Sequence, residues 1–276
     1  MDKYSVLMSV YRKDHPDYLK ASIDSMLAQT YPCDQFVLVK DGPVPEELER
    51  IITRYEAENP QLFTVVALPR NMGLGRALDI GLEHCRNELV ARMDSDDISL
   101  PERCRIQVEC FEKDPGLDIV GTYINEFFDD PQNIQSSRIV PEKHEDIVAF
   151  ARRRSPFNHP TVMYKKNAVV RCGGYGTTQR KEDLCLFPAM VNSGCKAMNI
   201  PQALLLYRSN ADNLKRRKNW INCKEYIQVI YGNYKKGYSG LFDLAYVVAA
   251  QLTFFVLPTG AAKALSNKVL RKSPVK

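Results

Sequence analysis

The chain has no C-x-x-C pair, although eight cysteines (Cys33, Cys85, Cys104, Cys110, Cys172, Cys185, Cys195 and Cys223) are scattered along its 276 residues. Zinc-binding modules need such pairs and disulfide scaffolds need dense spacings, so both classes are excluded. Glycine is missing from the turn after the first apolar run, which reads Tyr11-Arg12-Lys13-Asp14-His15-Pro16. A sugar nucleotidyltransferase would carry a glycine-rich loop there, where backbone amides grip phosphate. Gly73-x-Gly75 lacks a third glycine at the proper spacing and does not follow the first strand, which argues against a dinucleotide dehydrogenase. No charged leader with an apolar stretch precedes the first strand, so a reducing, cytoplasmic location is expected. There is no internal repeat and no low-complexity tract. Charge of one sign is scarce as well: 38 basic against 33 acidic residues leave a formal +5. That balance suits an anionic ligand or membrane surface and falls short of a nucleic-acid-binding signature.

What is present is a globular composition, 45% hydrophobic and 26% charged, enough to bury a core. Tyr4 to Val10, Phe36 to Val39, Leu62 to Leu68 and Glu88 to Met93 are apolar runs of strand length. Between them Leu19, Ile23, Met26 and Leu27, then Leu48, Ile51, Ile52 and Tyr55, then Leu74, Leu78 and Leu82, repeat at helical spacing. Strands alternating with helices imply an α/β chain with a mixed, mostly parallel, Rossmann-like sheet flanked by helices. Ligands of such sheets bind beyond the carboxyl ends of the strands. Polar residues stand at those ends: Ser9 and Tyr11, Asp41, Arg70 and Asn71, and Asp94 to Asp97.

Farther on, Ser99 with Glu102 three residues later forms a capping-box pattern opening a helix that carries Ile106, Cys110 and Phe111. Leu117 to Ile124 is a strand candidate, Asn125 to Ser137 a polar loop, and Ile147 to Arg154 a helix. Thr161 to Tyr164 is extended, Gly173-Gly174 a turn, and Leu184 to Met190 a helix after Glu182-Asp183. Leu241 to Leu257 is mostly apolar but carries Asp243 and Gln251, with Lys263, Lys268, Arg271, Lys272 and Lys276 behind it. That segment suits either an interfacial anchor on an anionic leaflet or a helix capping the core.

The densest chemistry is Arg92-Met93-Asp94-Ser95-Asp96-Asp97, where a strand delivers acids to a sheet edge. Carboxylates one residue apart on a turn can hold a hard divalent cation, which would bridge a diphosphate and neutralise it as it leaves. The same acids also suit the start of the next helix through its dipole.

Order and spacing extend the pattern. The runs Ser5-Val6-Leu7-Met8-Ser9-Val10-Tyr11, Asp41-Gly42, Arg70-Asn71-Met72-Gly73-Leu74 and Asp94-Ser95-Asp96-Asp97 resemble the family 2 glycosyltransferases with the GT-A fold. The likeness continues through His159-Pro160-Thr161-Val162-Met163, Gly173-Gly174-Tyr175 and Glu182-Asp183-Leu184, so it covers roughly residues 4–210. The nearest look-alikes are bacterial transferases of exopolysaccharide, capsule and O-antigen assembly.

The resemblance implies a GT-A catalytic domain over 1–215, with a nucleotide-binding half (1–98) and an acceptor-side half (99–215), and a C-terminal helical extension over 216–276. It implies inverting transfer of a hexose or N-acetylhexosamine from a nucleotide-diphosphate sugar, expected to be a UDP-sugar. The acceptor would be a glycan or a polyprenyl-linked oligosaccharide, the cofactor Mn2+ or Mg2+, and nucleic acid would play no part. Peripheral contact with the cytoplasmic membrane leaflet is compatible with this role. Ser9, Tyr11 and Ser95 would line the nucleotide pocket, Asp41 would meet the base, Arg70 the base or diphosphate, Asp94 the ribose and Asp96 the metal. Asp183 would be the catalytic base, with Glu182 beside it. Each residue also has a plainer reading: Tyr11 can simply pack, Asp41 forms turns, Arg70 suits a solvated loop, and Asp183 suits a helix N-cap.

His159, between Pro156 and Pro160, and Arg208, after Leu204-Leu205-Leu206-Tyr207, are second-tier candidates for donor or acceptor contact or for a structural role. The Q-x-x-R-W signature of processive members is absent, the one tryptophan being Trp220 after Asn219, which favours one sugar per encounter. A binding-only scaffold that kept the fold is the rival reading, disfavoured because both the acidic turn and the candidate base remain.

Overall fold

Runs of branched and aromatic residues become parallel strands where both their faces can be covered. In the computed structural model, which describes residues 1–176, 181–209, 219–258, 260–261 and 271–275, this happens four times at the start of the chain. Strands β1 (Tyr4–Val10), β2 (Gln35–Lys40), β3 (Phe63–Ala67) and β4 (Leu89–Asp94) alternate with helices α1 (Pro16–Leu27), α2 (Glu46–Glu58), α3 (Leu74–His84) and α4 (Arg103–Lys113). Val6, Met8 and Val10 enter one core with Leu19, Ile23 and Met26 of α1, while Leu7 meets Leu78 and Leu82 of α3 in the other. Helix α3 lies close to the sheet at Gly81, where an added Cβ would stand 2.5 Å from side-chain carbons of Leu7 and Val39.

The second half supplies β5 (Ile98–Ser99), β6 (Leu117–Phe127), β7 (Ile134–Arg138), α5 (His144–Ala151), β8 (Met163–Lys165), α6 (Lys166–Arg171), α7 (Glu182–Asn192), β9 (Lys196–Arg208), α8 (Trp220–Lys235) and α9 (Leu241–Val256). All described strands join one nine-stranded sheet in the order β3-β2-β1-β4-β8-β6-β9-β5, with β7 paired to β6. Strands β1 to β4, β6 and β9 run one way, and β5, β7 and β8 run against them. The expected mixed, mostly parallel sheet with helices on both faces and a C-terminal helical extension is what forms. Strand β9 is bulged against β6, because Thr122 pairs with Ile200 and Tyr123 with Ala203. Pro201, which has no N–H for the ladder, falls in the looped-out pair.

Several local expectations are corrected. Ser99 is not an N-cap: it pairs with Leu205 in β5, and Glu102 occupies the cap position of α4 without a side-chain cap bond. A short antiparallel contact takes Ser99 before the helix can. Asn125 to Ser137 is not a loop throughout, since β6 runs to Phe127 and Asn125 pairs with Ser137 across to β7; polar side chains hid a strand edge. The cap position of α7 is Lys181, with Glu182 and Asp183 inside the first turn. Thr161 belongs to a short 3-10 helix (His159–Thr161) rather than to the extended run.

Helix α9 packs along α8, with Trp220 and Phe255 ring centroids 5.6 Å apart, and its Asp243 is tied to Arg153 at 2.5 Å. No helix among the described residues is long and apolar enough to cross a membrane. Of the basic residues behind α9, Lys263, Lys268 and Lys276 lie outside the described residues. Arg271 and Lys272 do not trail away: Lys272 bridges Ser137 on the edge of β7, and Arg271 pairs with Glu126.

Candidate active site

Strand register brings the first candidates together. Ser9, near the end of β1, is flanked by Val39 of β2 and Asp94 of β4. From Asp94 the chain turns, and carboxylate oxygens of Asp94, Asp96 and Asp97 lie within 4.8 Å of one another. The turn is held from three sides. Ser22 of α1 donates its hydroxyl to the Asp94 carbonyl at 2.6 Å. Arg208, at the end of β9, donates its backbone N–H to Asp97 Oδ1 and its Nε to the Asp96 carbonyl, both at 2.9 Å. Its guanidinium lies 3.9 Å over the ring of Tyr18 and 4.6 Å from that of Phe127. Ser95 donates to Asp14 Oδ2 at 2.8 Å, and the Tyr11 amide donates to the same oxygen at 3.1 Å. Arg208 thus positions the acidic turn rather than capping a free sheet edge.

Asp14 thus joins the candidate site, although motif reading assigned it no role. Its signal was the Asx-type spacing three residues after Tyr11, in a turn noticed only for lacking glycine. Burial pushes its carboxyl up to about 6, partly offset by the bonds from Ser95 and Tyr11. Burial, then the charges of Asp94 and Asp14, push Asp96 up to about 7. Burial and Asp96 raise Asp97 too, and its Oδ2 is buried without a partner. Clustered oxygens that resist ionising together are what a hard divalent cation relieves, and an all-carboxylate set suits Mg2+ or Mn2+ rather than a soft metal.

On the neighbouring strand end, Asp41 is buried and both its oxygens are engaged. Oδ1 accepts from the Met72 amide at 2.6 Å, and Oδ2 from Asn71 Nδ2 at 2.9 Å and the Gly73 amide at 3.1 Å. It shapes the loop after β3, on which Arg70 stands exposed. Gly42 has φ +87°, and a Cβ there would lie 2.6 Å from the Asn71 amide, so only glycine permits this approach.

Beneath the acidic turn lies a second charged group, Arg92, Glu182 and His159, whose members the sequence offered singly and the fold brings together. Arg92 is fully buried and pairs with Asp94, leaving its Nε and Nη1 without partners. Glu182, also buried, faces His159 with Oε1 3.7 Å from Nδ1, and both Glu182 Oε2 and His159 Nε2 are unpartnered. Burial, then Asp183, raise Glu182 while Arg92 lowers it. Burial and the Arg92 charge hold the His159 imidazole well below its usual range. His159 sits between the rings of Tyr175 and Phe187, with centroids 5.4 and 5.5 Å away. It is therefore an interior neighbour of Glu182, not a residue open to solvent.

Asp183 stands half-exposed in the first turn of α7. That helix contains Pro188, which cannot donate to the Leu184 carbonyl four residues earlier. Asn233 of α8 supplies the missing donor at 3.3 Å, and Lys181 reaches Asn222 of α8 at 2.7 Å. The helical extension thereby fixes the helix that carries the candidate base.

Residues 5–183 match the family model described as glycosyl transferase family 2. The chain is 37% identical to amylovoran biosynthesis glycosyltransferase AmsE of Erwinia amylovora over 82% of this chain and 84% of that protein. It is 33% identical to UDP-Gal:alpha-D-GlcNAc-diphosphoundecaprenol beta-1,3-galactosyltransferase of Escherichia coli over 98% of this chain and 97% of that protein. Among solved structures, it matches mannosyltransferase PcManGT from Pyrobaculum calidifontis, in complex with GDP-Man and Mn2+, with a TM-score of 0.64. That likeness, at 18% identity, covers 97% of this chain and 76% of that one and shows the GT-A fold.

Proposed function

The chain belongs to glycosyltransferase family 2, and from that premise we propose that it moves a single hexose or N-acetylhexosamine, with inversion, from a UDP-sugar to a polyprenyl-linked or glycan acceptor of surface polysaccharide assembly. One observation carries the reading: three carboxylates converge within 4.8 Å at the end of β4, where ligands of such sheets bind. Asp96, with Asp94 and Asp97, would hold Mg2+ or Mn2+, which supplies charge neutralisation for the departing diphosphate. Ser9, Tyr11, Ser95 and Asp94 frame the nucleotide around that turn. Asp41 acts through the 71–73 loop it organises, and Arg70 on that loop faces the base or diphosphate.

Asp183 takes the proton of the acceptor hydroxyl as that oxygen attacks the anomeric carbon from the face opposite the leaving group. Glu182 and His159 hold the start of α7 beneath it. Residues 1–98 form the donor half, 99–215 the acceptor half, and 216–276 a helical extension that rests peripherally on the inner membrane face through the exposed side of α9. The E. coli relative's lipid-diphosphate acceptor supports this choice of acceptor class.

The test is UDP release from UDP-sugars with Mn2+ and a lipid-linked acceptor. Asp96→Ala and Asp183→Ala are each expected to lower turnover by about 10²–10⁴-fold, the range for loss of a positioned catalytic group. Donor binding without turnover on the authentic acceptor would make the chain a scaffold, and selectivity for GDP-mannose would overturn the UDP assignment.

A further inference from the structure

A cavity of about 530 Å³ opens on the acceptor side, between the β6–β7 hairpin and α5, within the size range of small-ligand sites. Four cationic side chains line it, Arg138, Lys143, Arg154 and Lys272, against two acids, Glu142 and Asp146. Glu142 is already engaged, accepting the Tyr123 hydroxyl at 2.7 Å. Arg154 is ordered by its own surroundings, its guanidinium lying 4.8 Å over the ring of Phe150. Lys272 is brought to the rim by backbone pairing, since it exchanges N–H···O bonds of 2.9 and 3.0 Å with Ser137. The C-terminal segment thus closes one wall.

Two paths of contact join this cavity to the candidate base. Asn158 donates to the Arg138 carbonyl at 3.2 Å, and the next residue, His159, faces Glu182, the neighbour of Asp183. On the second path, Tyr226 of α8 donates its hydroxyl to the Arg153 carbonyl at 3.0 Å, and the same helix braces α7 through Asn233. On its other side the cavity borders an apolar track. Arg153, adjacent to Arg154, binds Asp243 and lies 4.7 Å over the Tyr246 ring. This places the start of α9, with Phe242 89% and Leu241 63% exposed, beside the basic wall.

We propose that this cavity binds the diphosphate of a prenyl-diphosphate-linked acceptor, with the prenyl chain leaving along the exposed face of α9 and the acceptor sugar turned toward Asp183. The two diphosphates of the reaction are then held by opposite means. Acids can hold the donor's diphosphate only through a cation, whereas guanidinium and ammonium groups bind the acceptor's directly. The inference rests on the glycosyl-transfer reading, which it deepens by locating the acceptor.

The deciding measurement compares KM for a prenyl-diphosphate-linked sugar with KM for the same sugar on a neutral alkyl chain. Lys143→Gln combined with Lys272→Gln, and separately Arg154→Gln, are expected to raise the first by about tenfold or more, as loss of charge-assisted bonds does, and to leave the second and the donor KM in place. Equal weakening of both acceptors, or of neither, would overturn the proposal. Calorimetry with farnesyl diphosphate in EDTA decides independently of turnover: binding weakened about tenfold in the variants upholds it even if no transfer is found, and no binding by the wild type ends it. Loss of binding to phosphatidylglycerol vesicles with farnesyl diphosphate binding intact would assign the cavity to a membrane headgroup and overturn it.

Discussion

At the scale of single residues, the acidic turn is a store of unfavourable charge. Asp96 is pushed up to about 7 and Asp14 to about 6, from the usual 3.8, chiefly by burial and then, for Asp96, by its acidic neighbours. Folded chains therefore keep protons on these groups that unfolded chains release, and stability falls as pH rises from about 4 to about 7. A cation at the turn needs the ionised forms and offsets this loss. Thermal unfolding in EDTA should show Tm falling from pH 5 to pH 8. Saturating Mn2+, near 100 times its Kd, should raise Tm by about 5–10 °C at pH 8, from about 2.7 kcal/mol of linkage, and by much less at pH 5.5. Asp96→Ala should remove the gain, and a gain independent of pH would place the cation elsewhere. The acidic residues of this turn were legible from their spacing. The roles of Asp14 and Arg92 were not, because Asp14 lies 80 residues before Asp94 and Arg92 is a buried cation on a strand that otherwise reads as apolar.

At the scale of elements, the acidic turn is held by a strand end far away in sequence. Arg208 ends β9 and fastens Asp96 and Asp97 through two bonds of 2.9 Å while its guanidinium packs against Tyr18 and Phe127. Removing the side chain in Arg208→Met leaves the backbone bond but frees the Asp96 carbonyl. Outer-shell losses of this kind weaken metal binding by about 10–100-fold, and Mn2+ titration is expected to show a change in that range. Lysine should rescue poorly, having no planar fork to lie on the rings while Nε donates. Unchanged affinity in Arg208→Met would make the contact incidental. Expectation and structure part at elements of the same kind: Ser99 was drawn from a cap into β5, and Asn125 and Ser137 from a loop into a β6–β7 pair. In both cases a partner strand distant in sequence outweighed local turn and cap preferences.

At the scale of the whole molecule, α8 and α9 link chemistry to surface. The inner side of α8 braces α7 through Asn233 and Asn222, and the outer side of α9 leaves Leu241, Phe242 and Val256 exposed at 63%, 89% and 78%. An apolar face of this kind is characteristic of interfacial helices. The chain should co-sediment with vesicles containing phosphatidylglycerol, and Phe242→Glu should weaken partitioning by about tenfold or more, since burying a phenylalanine contributes about 1.5–3 kcal/mol. Wild-type chain remaining in the supernatant would rule out the peripheral contact.

By itself the sequence determined the α/β class, the four leading β-α units and the strand ends at which polar residues gather, because side-chain periodicity and turn chemistry act over a few neighbours. It also placed the family motifs from Ser9 to Asp183 in order. The tertiary structure alone decided that Asp41 spends both oxygens on the 71–73 loop, that Arg92 lies beneath the turn with Glu182 and His159, and that Lys272 closes a basic cavity beside α5. Those arrangements depend on which strands pair and which helices cover them, and such contacts between distant segments leave no local period in the chain.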